Sequence, residues 1–295
     1  MDNDLEEYLK SRFRLNTIRG MLNELKLYKL WCEKEDLQIE NINYNDILAY
    51  IGHCKENSNS KRTIRSKLNC MKHYYHYLQI NQVIQTNPLI DIKLNNIEKS
   101  VMHAVIKYEE LEKLYQDYPT HGFLQKRNKC ILGLLIYQGL NTSELNKLEI
   151  KDIKLEEGNI YIPSTAKSNS RILKLESHQI IRLQNYILSI RQMLLSMTEK
   201  NTDQLFISNG KIGIKNPHNI LAVVKYLLDY LKKMESKIKD VKQIRANIIT
   251  HWLKQYNIRQ VQYMIGHKYV SSTERYSTNK LETLQEQIEL LHPMK

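Results

Sequence analysis

Apolar residues return at steps of three and four along most of this chain, and only the stretch from Leu148 to Leu175 breaks that period into short alternating runs. A chain patterned in this way packs helices around a core and carries one small sheet. Ile18, Met21, Leu22, Leu25 and Tyr28 form one stripe between Leu15 and Leu30. A second helix is expected to start at the cap candidate Asn45 and to bury Ile47, Leu48 and Ile51. A third is expected from about Ser60 to Leu78, with Ile64, Leu68, Met71, Tyr75 and Leu78 on one face. Helical segments then appear around Tyr108–Tyr118 and Leu124–Gln138. Leu148–Leu155, Asn159–Pro163 and Arg171–Leu175, separated by turn residues, read as an antiparallel meander of three strands. From about Ser177 onward the helical period resumes.

Asn87-Pro88 ends the first helical region, because the residue before a proline is pushed out of helical geometry. Leu89 to His103 reads as a polar connector without a sustained period. The expected organisation is a helical domain over 1–95, a linker over 96–104 and a larger helical domain with the meander over 105–295. With 295 residues, 42% of them hydrophobic, the chain can bury two separate cores. Leu281, Leu284, Ile288 and Leu291 predict a short amphipathic tail helix over 281–291.

No apolar run reaches the roughly 18 residues that a membrane-spanning helix needs, and the N-terminus is acidic where a secretory signal is positive. The expectation is a soluble, cytoplasmic protein with no membrane partner. Cys32, Cys54, Cys70 and Cys130 are scattered, with no spacing that closes a zinc tetrahedron, and read as reduced thiols. A formal net charge of +12 gives a positive field that attracts polyanions, nucleic acid being the commonest. Lys61, Arg62, Arg65 and Lys67 open the third helix and spread over its exposed side. They are candidates for DNA phosphate contacts, and equally a solvated basic face.

The densest cluster of chemistry-bearing residues lies near the C-terminus. Ile265-Gly266-His267 is followed by Tyr276 with eight residues between, and Thr273 and Arg275 stand just before the tyrosine. Upstream are Lys242 and Arg245 at the start of a helical run, Lys167 in the turn before the third strand, and Gly139-Leu140-Asn141-Thr142-Ser143-Glu144-Leu145 between two helices. In this order the set resembles the tyrosine recombinases and phage integrases, Xer-type enzymes included. The resemblance covers most of the chain. It implies a mainly α fold with a small antiparallel β-sheet, in which a helical core-binding domain precedes an α+β catalytic domain.

Carried over by motif, the resemblance makes Tyr276 the nucleophile, Arg245 the second arginine, Lys242 the His-or-Lys position, His267 the His-or-Trp position and Lys167 the general acid. The family's first arginine follows Gly-Leu, and that place holds Asn141 here. A phosphodiester gains negative charge as a phenol attacks it, so fixed cationic donors lower the barrier. A 3′-phosphotyrosyl link conserves the bond energy, so no ATP, metal or other cofactor is expected. Neither a Walker-type loop nor a carboxylate cluster suited to two magnesium ions is evident. The implied partners are a double-stranded DNA recombination site, further copies of the chain in a tetramer coupled through the tail helix, and accessory DNA-bending proteins.

Each residue also has a structural reading. Lys167 fits a solvated turn lysine, Arg245 a salt-bridge partner, His267 a helix cap and His251 core packing. Asn141 is a favoured N-cap residue, with Glu144 in place for a capping box. An amide supplies neither the charge nor the donor fork of a guanidinium. Arg127, Lys129 and Lys147 are the nearby cations that can compensate. The alternatives to a recombinase are therefore a DNA-binding relative with weakened or lost cleavage, and a type IB topoisomerase.

Overall fold

The apolar stripes of the N-terminal region fold as helices α1 (Asp2–Lys10), α2 (Leu15–Lys34), α3 (Tyr44–Glu56) and α4 (Lys61–Ile80). They belong to a computed structural model that describes residues 2–94, 106–198, 201–209 and 220–277. The chain separates into two compact units, Met1–Val101 and Met102–Lys295. Helix α2 packs on α4, and α1 packs on both. At their centre the hydroxyls of Tyr28 and Tyr75 share a buried hydrogen bond of 2.8 Å. The first helix escaped the period reading because Leu5 and Leu9 alone carry its buried face.

Two sequence expectations shift here. Asn43, not Asn45, caps α3: its side chain accepts from the backbone N–H of Asn45 and Asp46, and Asp46 returns a bond to the Asn43 backbone. The carboxylate and the cap thus satisfy each other's end of the helix. Leu48 is exposed, whereas Ile47, Ile51 and Cys54 are buried with Tyr50. One residue turns a helix by about 100°, which takes Leu48 off the stripe that Ile47 starts. Ser60 caps α4, accepting from Thr63 N–H. Beyond Asn87-Pro88 the chain still packs on this unit: Leu89 is buried, and the Asn87 side chain bonds both Leu89 N–H and the Lys72 carbonyl. The linker 96–104 lies outside the described residues.

In the second unit α5 (Tyr108–Asp117) and α6 (Phe123–Tyr137) match the expected segments, and α6 is the core helix, packing on α5, α8 (Ser177–Asn185), α10 (Leu221–Met234) and α11 (Val241–Gln255). The sheet has antiparallel order β1-β2-β3, from Ile153–Lys154, Asn159–Ile162 and Arg171–Lys174. The first strand is shorter than Leu148–Leu155, because Asp152 accepts from Glu149 N–H and winds Ile150–Asp152 into a 3₁₀ turn. Leu148 and Ile150 pair instead with Leu205 and Asp203. A π turn at Tyr186–Ile190 joins α8 to α9 (Arg191–Thr198), α7 (Thr142–Lys147) precedes the sheet, and α12 (Ile258–Ile265) packs on β3. Residues 271–277 are helical, and the tail helix expected at 281–291 lies outside the described residues.

Along β3, Ile172 and Lys174 face outward while Arg171 and Leu173 point into the core. A buried arginine on the apolar face of a sheet needs a compensating carboxylate, which identifies where charge has been gathered inside the unit. Replacing Asn43 with alanine is expected to lower the stability of the first unit by about 1 kcal/mol, and replacing Asn45 by less than ~0.5 kcal/mol. Urea unfolding of the two variants checks this, and equal losses would return the cap to Asn45.

Candidate active site

Glu144 is fully buried and sits between two guanidinium groups. Its Oε1 accepts from Arg171 Nη1 at 2.8 Å, and its Oε2 accepts from Arg245 Nη1 at 3.0 Å and from the Asn141 backbone N–H at 2.9 Å. Burial pushes the Glu144 carboxyl up. The Arg171 hydrogen bond and the charges of Arg245 and Arg171 outweigh it and hold the group below the usual carboxylate range. Two cations sharing one anion leave the buried cluster a net charge of +1, from +2 on Arg171 and Arg245 and −1 on Glu144.

Arg245 fastens two turns together. Nη1 also donates to the Gly139 carbonyl, and Nη2 donates to the Ile265 carbonyl at 2.6 Å. Both turns need glycine. Gly139 has φ 59 and Gly266 has φ 75, and a side chain on Gly266 would run into the Arg171 guanidinium and the Asn169 carbonyl. Among the described residues these bonds use three of the five N–H donors of Arg245, leaving Nε–H and one hydrogen of Nη2. Arg171 donates through Nε to the Met264 carbonyl at 2.7 Å, and its buried Nη2 has no partner among the described residues.

The turn at Gly266 delivers His267 and, one helical segment later, Tyr276. Their rings stack at 6.2 Å between centroids with 16° between planes. Nδ1 of His267 lies 2.9 Å from the Thr273 hydroxyl. Burial, followed by the charges of Arg245 and Arg171, drives the His267 pKa down to about 4, so the ring is neutral at physiological pH. Burial pushes the Tyr276 phenol up, while Arg245 and Arg275 pull it down.

Lys167 is exposed in the β2–β3 turn. That turn is held by Thr165 and Ser168, and the chain just after Lys167 is pinned to the His267 segment through a Ser168–His267 bridge and Asn169 N–H to the Gly266 carbonyl at 2.8 Å. Lys242 is exposed in the first turn of α11, three residues before Arg245, and its side chain makes no hydrogen bond among the described residues. Asn141 caps α7 with a full capping box to Glu144. Arg245, His267 and Tyr276 are thus brought together, Lys167 stands on an adjoining turn, and Lys242 remains on the surface nearby.

Of the nearby cations, Arg127 bonds Ile207 and Asn128, and Lys129 bonds the Gln116 and Tyr118 carbonyls, so both are engaged away from the cluster. Lys147 is exposed and donates to the Ser164 carbonyl beside the β2–β3 turn. His251 stacks on Tyr108 at 4.0 Å, as a packing residue would. Lys61, Arg62 and Arg65 are exposed on α4, but Lys67 is turned to Glu24 in an ion pair. Sequence reading did not assign Arg171 or give Glu144 more than a capping duty. The inward phase of Arg171 in the strand alternation was the available signal. No group of His, Cys, Asp and Glu suited to a metal occurs among the described residues, and none of their helices is long and apolar enough to cross a membrane.

The sequence profile described as Phage integrase family matches residues 104–282. The chain belongs to this family. Its N-terminal region matches the phage integrase N-terminal SAM-like domain over residues 3–82. Among the relatives of this chain is tyrosine recombinase XerC of Bacillus subtilis, 26% identical and covering 97% of this chain and 94% of that protein. XerD of Staphylococcus saprophyticus is 25% identical and covers 99% of both. In fold it is similar to the Tn1549 transposon integrase solved with circular intermediate DNA, with a TM-score of 0.69, 17% identity and coverage of 96% and 98%. It is likewise similar to a lambda integrase tetramer bound to a Holliday junction, with a TM-score of 0.66, 15% identity and coverage of 93% and 75%.

Glu144→Gln leaves two buried guanidiniums without their counter-ion and is expected to cost about 3–5 kcal/mol at pH 7. Because the folded pKa of Glu144 is depressed, its contribution is complete above the unfolded value of about 4.3 and is lost as pH falls through the lower folded value. Urea unfolding of parent and variant should therefore show a gap that narrows below about pH 4. A gap independent of pH would count against the ion-pair account.

Proposed function

We propose that this phage integrase is a site-specific DNA recombinase that cuts and rejoins duplex DNA through a 3′-phosphotyrosine at Tyr276. The observation that carries the reading is the buried cluster of net charge +1 beside the Tyr276 phenol, with two N–H donors of Arg245 left over for an anion. A phosphodiester is the anion that a phenol in this position can attack. Arg245 and His267 donate to its non-bridging oxygens, Lys242 adds charge from the next face of α11, and Lys167 protonates the departing 5′-hydroxyl. The Tyr276 oxygen–phosphorus bond forms as the phosphorus–5′-oxygen bond breaks, the phenol proton passing to solvent and the 5′-oxygen taking its proton from Lys167. Rejoining runs the step backward, so neither ATP nor a metal is needed.

DNA is gripped through phosphates, with Lys61, Arg62 and Arg65 of the first unit among the contacts, while Lys67 serves Glu24. The assembly is a tetramer of this chain on two DNA sites, coupled through the 281–291 tail and assisted by accessory DNA-bending proteins. The Xer relatives and the DNA-bound integrases of similar fold support this reading.

A second reading, a DNA-binding relative with weakened cleavage, is favoured by one observation. Asn141 stands where the first arginine belongs, and its side chain is committed to capping α7. Losing one transition-state donor typically costs about 100- to 1000-fold in rate. Arg171 offsets part of that loss as a fixed buried charge, felt at both His267 and Arg245.

The test starts by selecting bound sites from a random duplex library and building them into nicked suicide substrates. The parent is expected to form a covalent adduct that peptide mapping places at Tyr276, and Tyr276→Phe to bind the same DNA without adduct. Adduct in that variant would mean that another residue attacks; binding without any adduct in the parent selects the second reading. Asn141→Arg is expected to raise the cleavage rate at least tenfold in the same assay, despite losing a cap worth about 1 kcal/mol. A variant no faster than the parent would show that the arginine subsite is not what limits the reaction.

A further inference from the structure

We propose that Thr273 is a positioning residue that holds His267 as the Nε2–H tautomer, so that the neutral imidazole serves the phosphate as a hydrogen-bond donor. The inference deepens the recombinase reading and names the protonation state its histidine must have.

The Thr273 side chain is fully buried, and its hydroxyl lies 2.9 Å from His267 Nδ1. Either atom can in principle donate. A threonine hydroxyl carries a single hydrogen, and among the described residues Nδ1 is its sole hydrogen-bond partner. If Nδ1–H donated to the hydroxyl oxygen, the hydroxyl hydrogen would be left buried with nothing to accept it. If the hydroxyl donates to Nδ1, that hydrogen is satisfied, and an oxygen lone pair, the cheaper group to leave open, goes without a partner. Hydrogen-bond accounting therefore assigns the donor role to Thr273 and the acceptor role to Nδ1.

A neutral imidazole has one N–H. With Nδ1 accepting, that hydrogen must sit on Nε2, which has no hydrogen-bond partner among the described residues. The alternative of a doubly protonated ring is opposed by burial and by the charges of Arg245 and Arg171. Thr273 also stands three residues before Tyr276, on the same helical segment 271–277. The bond thus ties the ring to the helix that carries the nucleophile, consistent with the near-parallel stacking of His267 and Tyr276.

The tautomer can be read without DNA or activity. In ¹⁵N-imidazole spectra of the full chain near pH 7, His267 is expected to show an unprotonated Nδ1 and a protonated Nε2. Thr273→Ser keeps the donor and should retain that pattern. Thr273→Val keeps the shape without the hydroxyl, and should shift the ring toward Nδ1–H or a mixture while thermal melting and DNA affinity stay near the parent's. On the suicide substrate Thr273→Val should cleave roughly 10- to 100-fold more slowly, with Thr273→Ser restoring most of the rate. An Nδ1–H ring in the parent, or a Thr273→Val enzyme cleaving like the parent, overturns the proposal. Should Thr273→Val fail to fold, the parent and Thr273→Ser spectra decide. Should the parent not cleave DNA, the recombinase reading fails while the spectra still settle the tautomer.

Discussion

The arrangement of the second unit depends on a carboxylate shared by two buried guanidiniums. Glu144 comes from α7, Arg171 from β3 and Arg245 from α11, and their outer hydrogen bonds reach the Gly139 carbonyl and the Met264 and Ile265 carbonyls. Four stretches far apart in sequence, around residues 139–144, 171, 245 and 264–265, are held in one place by this carboxylate and the two guanidiniums paired with it. Taking three charges from water is expensive, and apolar residues of equal volume would often serve stability as well or better. What an apolar plug cannot supply is a positive residue of charge, fixed in direction, next to the histidine and the tyrosine.

Asn141 has to be understood within that arrangement. Its side chain caps α7 and its backbone N–H binds the same Glu144 oxygen that receives Arg245. The asparagine therefore orients the carboxylate even though it brings no cation. Arg171 adds charge from behind, but its 0% exposed side chain makes it a source of field instead of a contact for a ligand.

Much of this could be read from the chain because helical period, turn residues and motif spacing are local signals. The stripes on α2 and α4, the Asn141–Glu144 capping box and the order of Lys167, Arg245, His267 and Tyr276 are of that kind. The misreadings mark where short range fails. Asn45 and Asn43 are two residues apart and equally able to cap; the choice falls to Asn43 because Asp46 stands three residues on to complete the box. Lys67 is one lysine among several until Glu24, 43 positions earlier, takes its charge. The sequence assigns Arg171 no role, and its burial follows from Glu144, 27 positions away. Partners at that separation are set by the fold, and no local pattern announces them.

The same long-range charges act on the Tyr276 phenol and, on the reading proposed above, set how it attacks. Burial raises the Tyr276 phenol, and the positive charges of Arg245 and Arg275 offset part of that rise. A bound phosphodiester brings one negative charge and cancels part of that positive field, so the phenol becomes harder to ionise in the complex than without DNA. Ionising the tyrosine first and attacking afterward is then the costlier order. On the reading proposed above, the phenol's proton is best released to solvent as the bond to phosphorus forms, when the oxygen's developing charge passes into the phosphoryl group.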